Sequence, residues 1–216
     1  MFTIHFAIAS IPIAVYLMMI GGLRMRSRPM VTTGWRDTLT LGIAVCGLVI
    51  IGPMQLFFPA QAAMRWHGWV WFMMLGLYIL GLVMFLLSCR PRLISYGMNH
   101  QQFRDTLESA AKQVDSDATW LGEVLTLPNS NIQLASEPAG SGRVHQVVHV
   151  GLLDNLQDWL KLERAFVSAG TAVVCPRSAA GFPFVLAGML LLLSAVFPLL
   201  SDPTTAHAQL IEFLNR

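Results

Sequence analysis

Charge is what this sequence has least of. Asp, Glu, Lys and Arg make up 12% of its 216 residues, against 55% hydrophobic. A soluble domain of this size carries about 25% charged residues. The shortfall is local. Nine acidic residues (Asp105, Glu108, Asp115, Asp117, Glu123, Glu137, Asp154, Asp158 and Glu163) lie between residues 93 and 176. Four stretches, 3–23, 38–58, 69–88 and 182–200, hold no charged residue at all.

Other absences narrow the function. Three cysteines, Cys46, Cys89 and Cys175, are too few for a disulfide framework. A net charge of +2 and the lack of a basic stripe with interleaved aromatics exclude a nucleic-acid partner. No phosphate-binding glycine loop, dinucleotide fingerprint or nucleophile elbow occurs. The four apolar stretches contain no acid, and His5 is their sole ionisable base, which argues against an ion-coupled transporter built from one chain. No Lys or Arg precedes Arg24, so residues 3–23 are expected to stay as a first helix and not to be cleaved as a signal peptide.

What is present is length. At 1.5 Å per residue, about 20 apolar residues cross a hydrocarbon core of about 30 Å. Each of the four stretches meets that requirement. Positive charge then sets the expected orientation, because Arg and Lys in short loops stay cytoplasmic. Arg24, Arg26, Arg28, Arg36, Arg90, Arg92 and Arg177 flank one side of the four spans, and only Arg65 and Arg216 flank the other. The seven are read as topology anchors, with binding of anionic lipid headgroups as their functional rival. Both termini are expected outside and residues 89–181 in the cytoplasm, with a bacterial inner membrane as the expected location. Trp66, Trp69 and Trp71 mark the outer interface and Trp35 the inner one.

The insert reads as an α+β domain over 92–176, with the order β-α-β-β-β-α-β of a ferredoxin-like-related sandwich. Its expected strands are "RLISY" (92–96), "WLGEVLTL" (120–127), "IQLAS" (132–136), "RVHQVVHV" (143–150) and "TAVVC" (171–175). A helix over 99–114 opens with a capping box at Asn99 and Gln102, and buries Phe103, Leu107, Ala110, Ala111 and Val114. A second helix is capped by Asp154, faces Leu156, Trp159, Leu160 and Phe166 inward and stops at Gly170. Val144, Val148 and Val150 are expected on one side of the strand over 143–150. In the tail 203–216, Leu210, Ile211 and Leu214 form the apolar stripe of a short amphipathic helix, expected on the outer membrane surface or frayed.

Candidate chemistry is sparse. His145 and His149 stand two pleats apart on one strand, which is poor geometry for a shared metal. Cys89 and Cys175 sit in Arg-Pro contexts at the two ends of the insert and are the candidates for a redox pair or a metal. Asp115 and Asp117 read as caps after the first helix of the insert. Gly52 and Pro53 mark a bend in the second span. His5, His67 and His207 are expected near the outer surface. No catalytic residue, cofactor or metal is expected. The leading expectation is a non-enzymatic multi-pass membrane module whose cytoplasmic domain binds a partner or ligand within a membrane assembly, with a protein partner or a homo-oligomer beside the bilayer. A transporter or channel subunit gated by that domain is the alternative, and an enzyme of the membrane interface the third.

Overall fold

The computed structural model describes residues 2–59, 64–66, 68–138, 143–151, 153, 155–176 and 178–214. His67, Asp154, Arg177, Arg216 and the loop residues 139–142 lie outside the described residues. The chain divides into two units. One comprises residues 1–20, 38–88 and 183–216, the other 21–37 and 89–182.

The first unit is helical. Helices α1 (Phe2–Met25), α2 (Gly34–Val49, extended by a π-helical turn at Ile50–Met54), α3 (Trp69–Ser88) and α6 (Phe182–Ser201) carry the apolar stretches. Four helical segments, 4–25, 34–54, 69–88 and 179–201, are long and apolar enough to cross a membrane. The second begins four residues before the expected 38, because Trp35, Arg36 and Asp37 form its first turn. Small residues let these helices approach. A Cβ on Gly47 would stand 2.0 Å from the Ile8 carbonyl oxygen of α1, and one on Gly188 of α6 would stand 2.7 Å from the Ala14 carbonyl oxygen of α1. One on Gly42 would stand 2.7 Å from the Leu82 side chain of α3. Glycines five apart spiral round α2, so Gly42 and Gly47 receive two different neighbours. The helix α3, by contrast, keeps most of its large apolar side chains exposed, among them Leu77 and Leu87. The π turn coincides with Pro53, which has no N–H to give to the helical ladder.

The second unit is a six-stranded antiparallel sheet with helices α4 (His100–Val114) and α5 (Leu156–Ala172). Its strands are β1 (Met30–Thr33), β2 (Arg92–Tyr96), β3 (Thr119–Leu121), β4 (Val124–Leu127), β5 (Ile132–Pro138) and β6 (Val144–His149). They lie in the order β1-β2-β6-β5-β4-β3. Phe103, Leu107 and Ala110 of α4 and Trp159, Leu162 and Phe166 of α5 share one core with Leu93, Val147, Leu134 and Leu125 of the sheet. Both helices therefore cover the same sheet face.

Three expectations need correction. First, the expected last strand, "TAVVC", is not a strand. Helix α5 runs past Gly170 to Ala172, and residues 173–176 form no strand. Gly170 is a packing residue, since a Cβ there would stand 2.5 Å from Val31 Cγ2. The added strand is β1, from the arginine-bearing segment between the first two apolar helices. Second, "WLGEVLTL" is two short strands, because Gly122 takes a positive φ of 64° and turns the chain within it. Third, Leu156 and Leu160 are exposed, and Leu162 takes the inward position. On β6 the side facing the helices is that of His145, Val147 and His149, while Val144, also buried, and Val148 share the opposite side.

The capping box at Asn99 and Gln102 is formed in both directions. At α5 the cap is Asn155, whose side-chain oxygen accepts from the Gln157 N–H at 3.0 Å.

Candidate functional site

The segment from Arg26 to Val31 explains itself from the covalent chain upward. Arg26 and Arg28 stand in the short irregular stretch between the end of α1 and the start of β1. Pro29 ends the irregular stretch, and Met30–Thr33 then pairs with Tyr96–Leu93. Val31 faces the core side of the sheet, where α5 presents Gly170 to it. The result is a cavity of about 300 Å³ lined by Arg26, Arg28, Met30, Val31, Val167 and Thr171, among others. Arg26 and Arg28 also line a second cavity of about 300 Å³ with Gly22, Met25 and Ser27. Both arginines are exposed, and neither forms an ion pair or side-chain hydrogen bond among the described residues. The Thr171 hydroxyl donates to the Ser168 carbonyl at 2.7 Å, which leaves its oxygen able to accept.

The other arginine anchors are placed differently. Arg36 lies over the Trp35 ring at 5.3 Å. Arg92 is half-buried, with its side chain laid against Gly34, where a Cβ would stand 2.0 Å from its Cγ. Arg24 is half-buried and Arg90 exposed. The first turn of α2 is tied to β2 by the Tyr96 hydroxyl, which donates to Asp37 Oδ1 at 2.6 Å.

A polar file runs through the covered face of the sheet. Ser95 is the cross-strand partner of His145, and both point toward the helices. The His145 ring lies 5.4 Å from that of Phe103 and 5.5 Å from that of His100. His149 is buried against Trp159 at 6.0 Å. The two strand histidines thus share a face and serve as core residues with different ring neighbours. Among the described residues no cluster of three or more His, Cys, Asp or Glu is arranged to hold a metal.

All three cysteines are free thiols. Cys175 is buried, and its Sγ lies 3.6 Å from Gln102 Oε1. Burial pushes its pKa up while the nearby Arg143 guanidinium pulls it down, with a net rise. A buried thiol held protonated is a poor nucleophile and metal ligand. Arg143 itself donates to the Pro176 carbonyl at 2.7 Å. Cys89 is half-buried and makes no hydrogen bond to Cys175.

Asp115 has a structural role. Its buried carboxylate accepts from the N–H groups of Asp117 and Asn129 and from Asn129 Nδ2, at 2.7–3.0 Å. Burial raises its pKa, but these bonds outweigh that and hold it below the usual aspartate range. Trp120 is half-buried with Arg104 stacked over it at 4.3 Å, so it is less enclosed than Trp159.

One polar contact of the helical unit joins two of its apolar segments. His5 Nε2 and Gln55 Nε2 are 3.1 Å apart, which joins the start of α1 to the residue just after the π turn. Phe213 of α7 (Pro203–Leu214) is buried and meets His5 edge-on at 5.4 Å and Trp71 at 4.7 Å. Gln209 Oε1 accepts from the Ile4 N–H at 3.4 Å. The apolar anchor of the tail helix is therefore Phe213. Leu210 and Ile211 remain exposed, as do His207, Trp66 and Trp69. Spacing alone did not reveal the His5–Gln55 pair, because its partners lie fifty residues apart.

No protein-family model matches this chain, and no curated protein or solved structure is detectably similar to it.

Proposed function

We propose that this chain is a four-pass inner-membrane protein of bacterial type, with both termini outside and the α+β unit in the cytoplasm, acting as a binding module within a membrane assembly. One observation carries the proposal. The edge strand β1 follows the end of α1 after four residues and leads directly into α2, and it is hydrogen-bonded to β2 along its whole length. Whatever the sheet unit binds is thereby linked, through covalent chain, to the ends of two apolar helices. The exposed apolar surface of α3 suits contact with lipid or with a second helical subunit.

The test is native mass spectrometry of the full chain released from mild detergent. A discrete homo-oligomer or a complex with another protein is expected. A monomer at every concentration, with no ligand shifting its thermal unfolding, would contradict the proposal.

A second reading, a transporter or channel subunit, is favoured by the π turn beside Pro53 and the His5–Gln55 pair, since polar pairs and π turns inside apolar helices mark functional positions. Flux into liposomes distinguishes it.

A further inference from the structure

We infer that the cavity between the Arg26–Val31 segment and the last turn of α5 binds a phosphate ester whose alcohol carries a hydroxyl or ammonium donor. The inference deepens the binding-module reading and rests on it, since it supplies that module with a ligand class. Three features of the cavity converge. Two guanidinium groups border it without a carboxylate partner among the described residues, and planar guanidinium forks match phosphate oxygens two at a time. Its volume of about 300 Å³ has room for a headgroup. Val31 and Val167 give it an apolar side on which a glycerol backbone or the start of an acyl chain can lie.

The remaining wall selects among esters. Gly170 and Thr171 belong to the closing turn of α5, the partially negative end of the helix dipole, where the Gly170 carbonyl accepts from the Val173 N–H. That end repels a bare phosphate dianion and attracts a donor. The Thr171 oxygen, already donating to Ser168, can only accept, which again favours a ligand hydroxyl or ammonium. An ester presenting phosphate to Arg26 and Arg28 and a donor to the helix end satisfies both walls. Glycerol and ethanolamine phosphates have that layout, and so do the headgroups of membrane phospholipids. Arg26 follows the end of α1 by one residue, so if α1 spans the bilayer the pair stands at headgroup depth.

The experiment uses the full chain in nanodiscs of phosphatidylcholine alone and of phosphatidylcholine with phosphatidylglycerol, with retained lipid counted after gentle release. The expected result is preferential retention of phosphatidylglycerol, reduced about tenfold or more in Arg26→Gln/Arg28→Gln. Arg90→Gln, which removes an exposed charge away from the cavity, is expected to leave retention unchanged. Soluble glycerol 3-phosphate distinguishes the two sources. Competition with it at micromolar levels assigns a soluble ester, and its failure to compete assigns the lipid headgroup.

Equal retention by the native chain and the double variant would overturn the inference, as would an equal loss in Arg90→Gln, which is the mark of diffuse charge attraction. Both arginines are exposed, so folding is expected to survive their replacement, and Arg26→Lys/Arg28→Lys gives a second check. It keeps the charge but loses the paired donors, and full retention in that variant would also overturn the site. The oligomeric state is read on the same samples. An intact assembly whose lipid retention is unchanged in the double variant defeats this inference alone, whereas a monomer whose thermal unfolding no ligand shifts defeats the binding-module reading.

Discussion

Individual side chains in the sheet unit hold it together through a few fully buried contacts. Asp115 is the clearest polar case. Its carboxylate collects the N–H groups of the turn after α4 and of Asn129, which lies across the unit from it in sequence. Replacing it with Asn keeps the shape but removes the charge that strengthens those bonds, and is expected to cost about 1–3 kcal/mol near neutral pH. The pH dependence has a definite sign. The folded pKa lies below the ordinary aspartate value, so this stabilisation is fully present above that value and disappears as pH falls through the folded pKa. Thermal unfolding of the native chain and Asp115→Asn in detergent is therefore expected to show a gap at neutral pH that narrows as pH falls below the ordinary aspartate range. A gap that widens on acidification would contradict the assignment. Phe103 is the apolar counterpart. It is fully buried against Phe166 at 5.7 Å and against His145, and truncation to Ala is expected to cost about 3–5 kcal/mol.

Among the elements, the helices and the capping box were legible in the sequence because each carries its own local signal. The periodicity of Phe103, Leu107, Ala110 and Ala111 marks α4, Asn99 and Gln102 mark its start, and uncharged runs mark the long helices. Strand β1 was not legible. Its four residues, MVTT, lack a periodic pattern of their own and follow arginines that read as a loop, and what orders them is pairing with a segment sixty residues away. The same long-range fact was hidden at Gly170, which resembles a helix stop in sequence and in the fold makes room for Val31. That difference can be tested. Within a helix, Gly→Ala ordinarily gains about 1 kcal/mol. Here the new methyl would meet Val31 Cγ2, on a side chain stiff at χ1, so Gly170→Ala is expected to destabilise by about 1–3 kcal/mol. Val31→Ala opens the space, and the double variant is expected to recover most of the loss, which a double-mutant cycle reads as coupling. A stabilised Gly170→Ala would show that β1 does not pack there. The candidate site was half legible: Arg26 and Arg28 stand out in sequence, whereas the wall from α5 emerges only once β1 is in the sheet.

At the scale of the whole molecule, the account rests on the four apolar helices crossing a bilayer and on the sheet unit lying inside. The uneven charge supports both: uncharged helices for the hydrocarbon, and seven arginines at the ends that meet the sheet unit along the chain. The most direct measurement is thiol labelling of intact cells with a membrane-impermeant maleimide, in a background with Cys46, Cys89 and Cys175 replaced by serine or alanine. Leu121→Cys reports from the exposed end of the edge strand β3 and Thr204→Cys from the exposed start of α7. The predicted result is labelling at 204 in intact cells, and at 121 only after permeabilisation. Labelling at 121 in intact cells, or identical behaviour at both positions, would contradict the account.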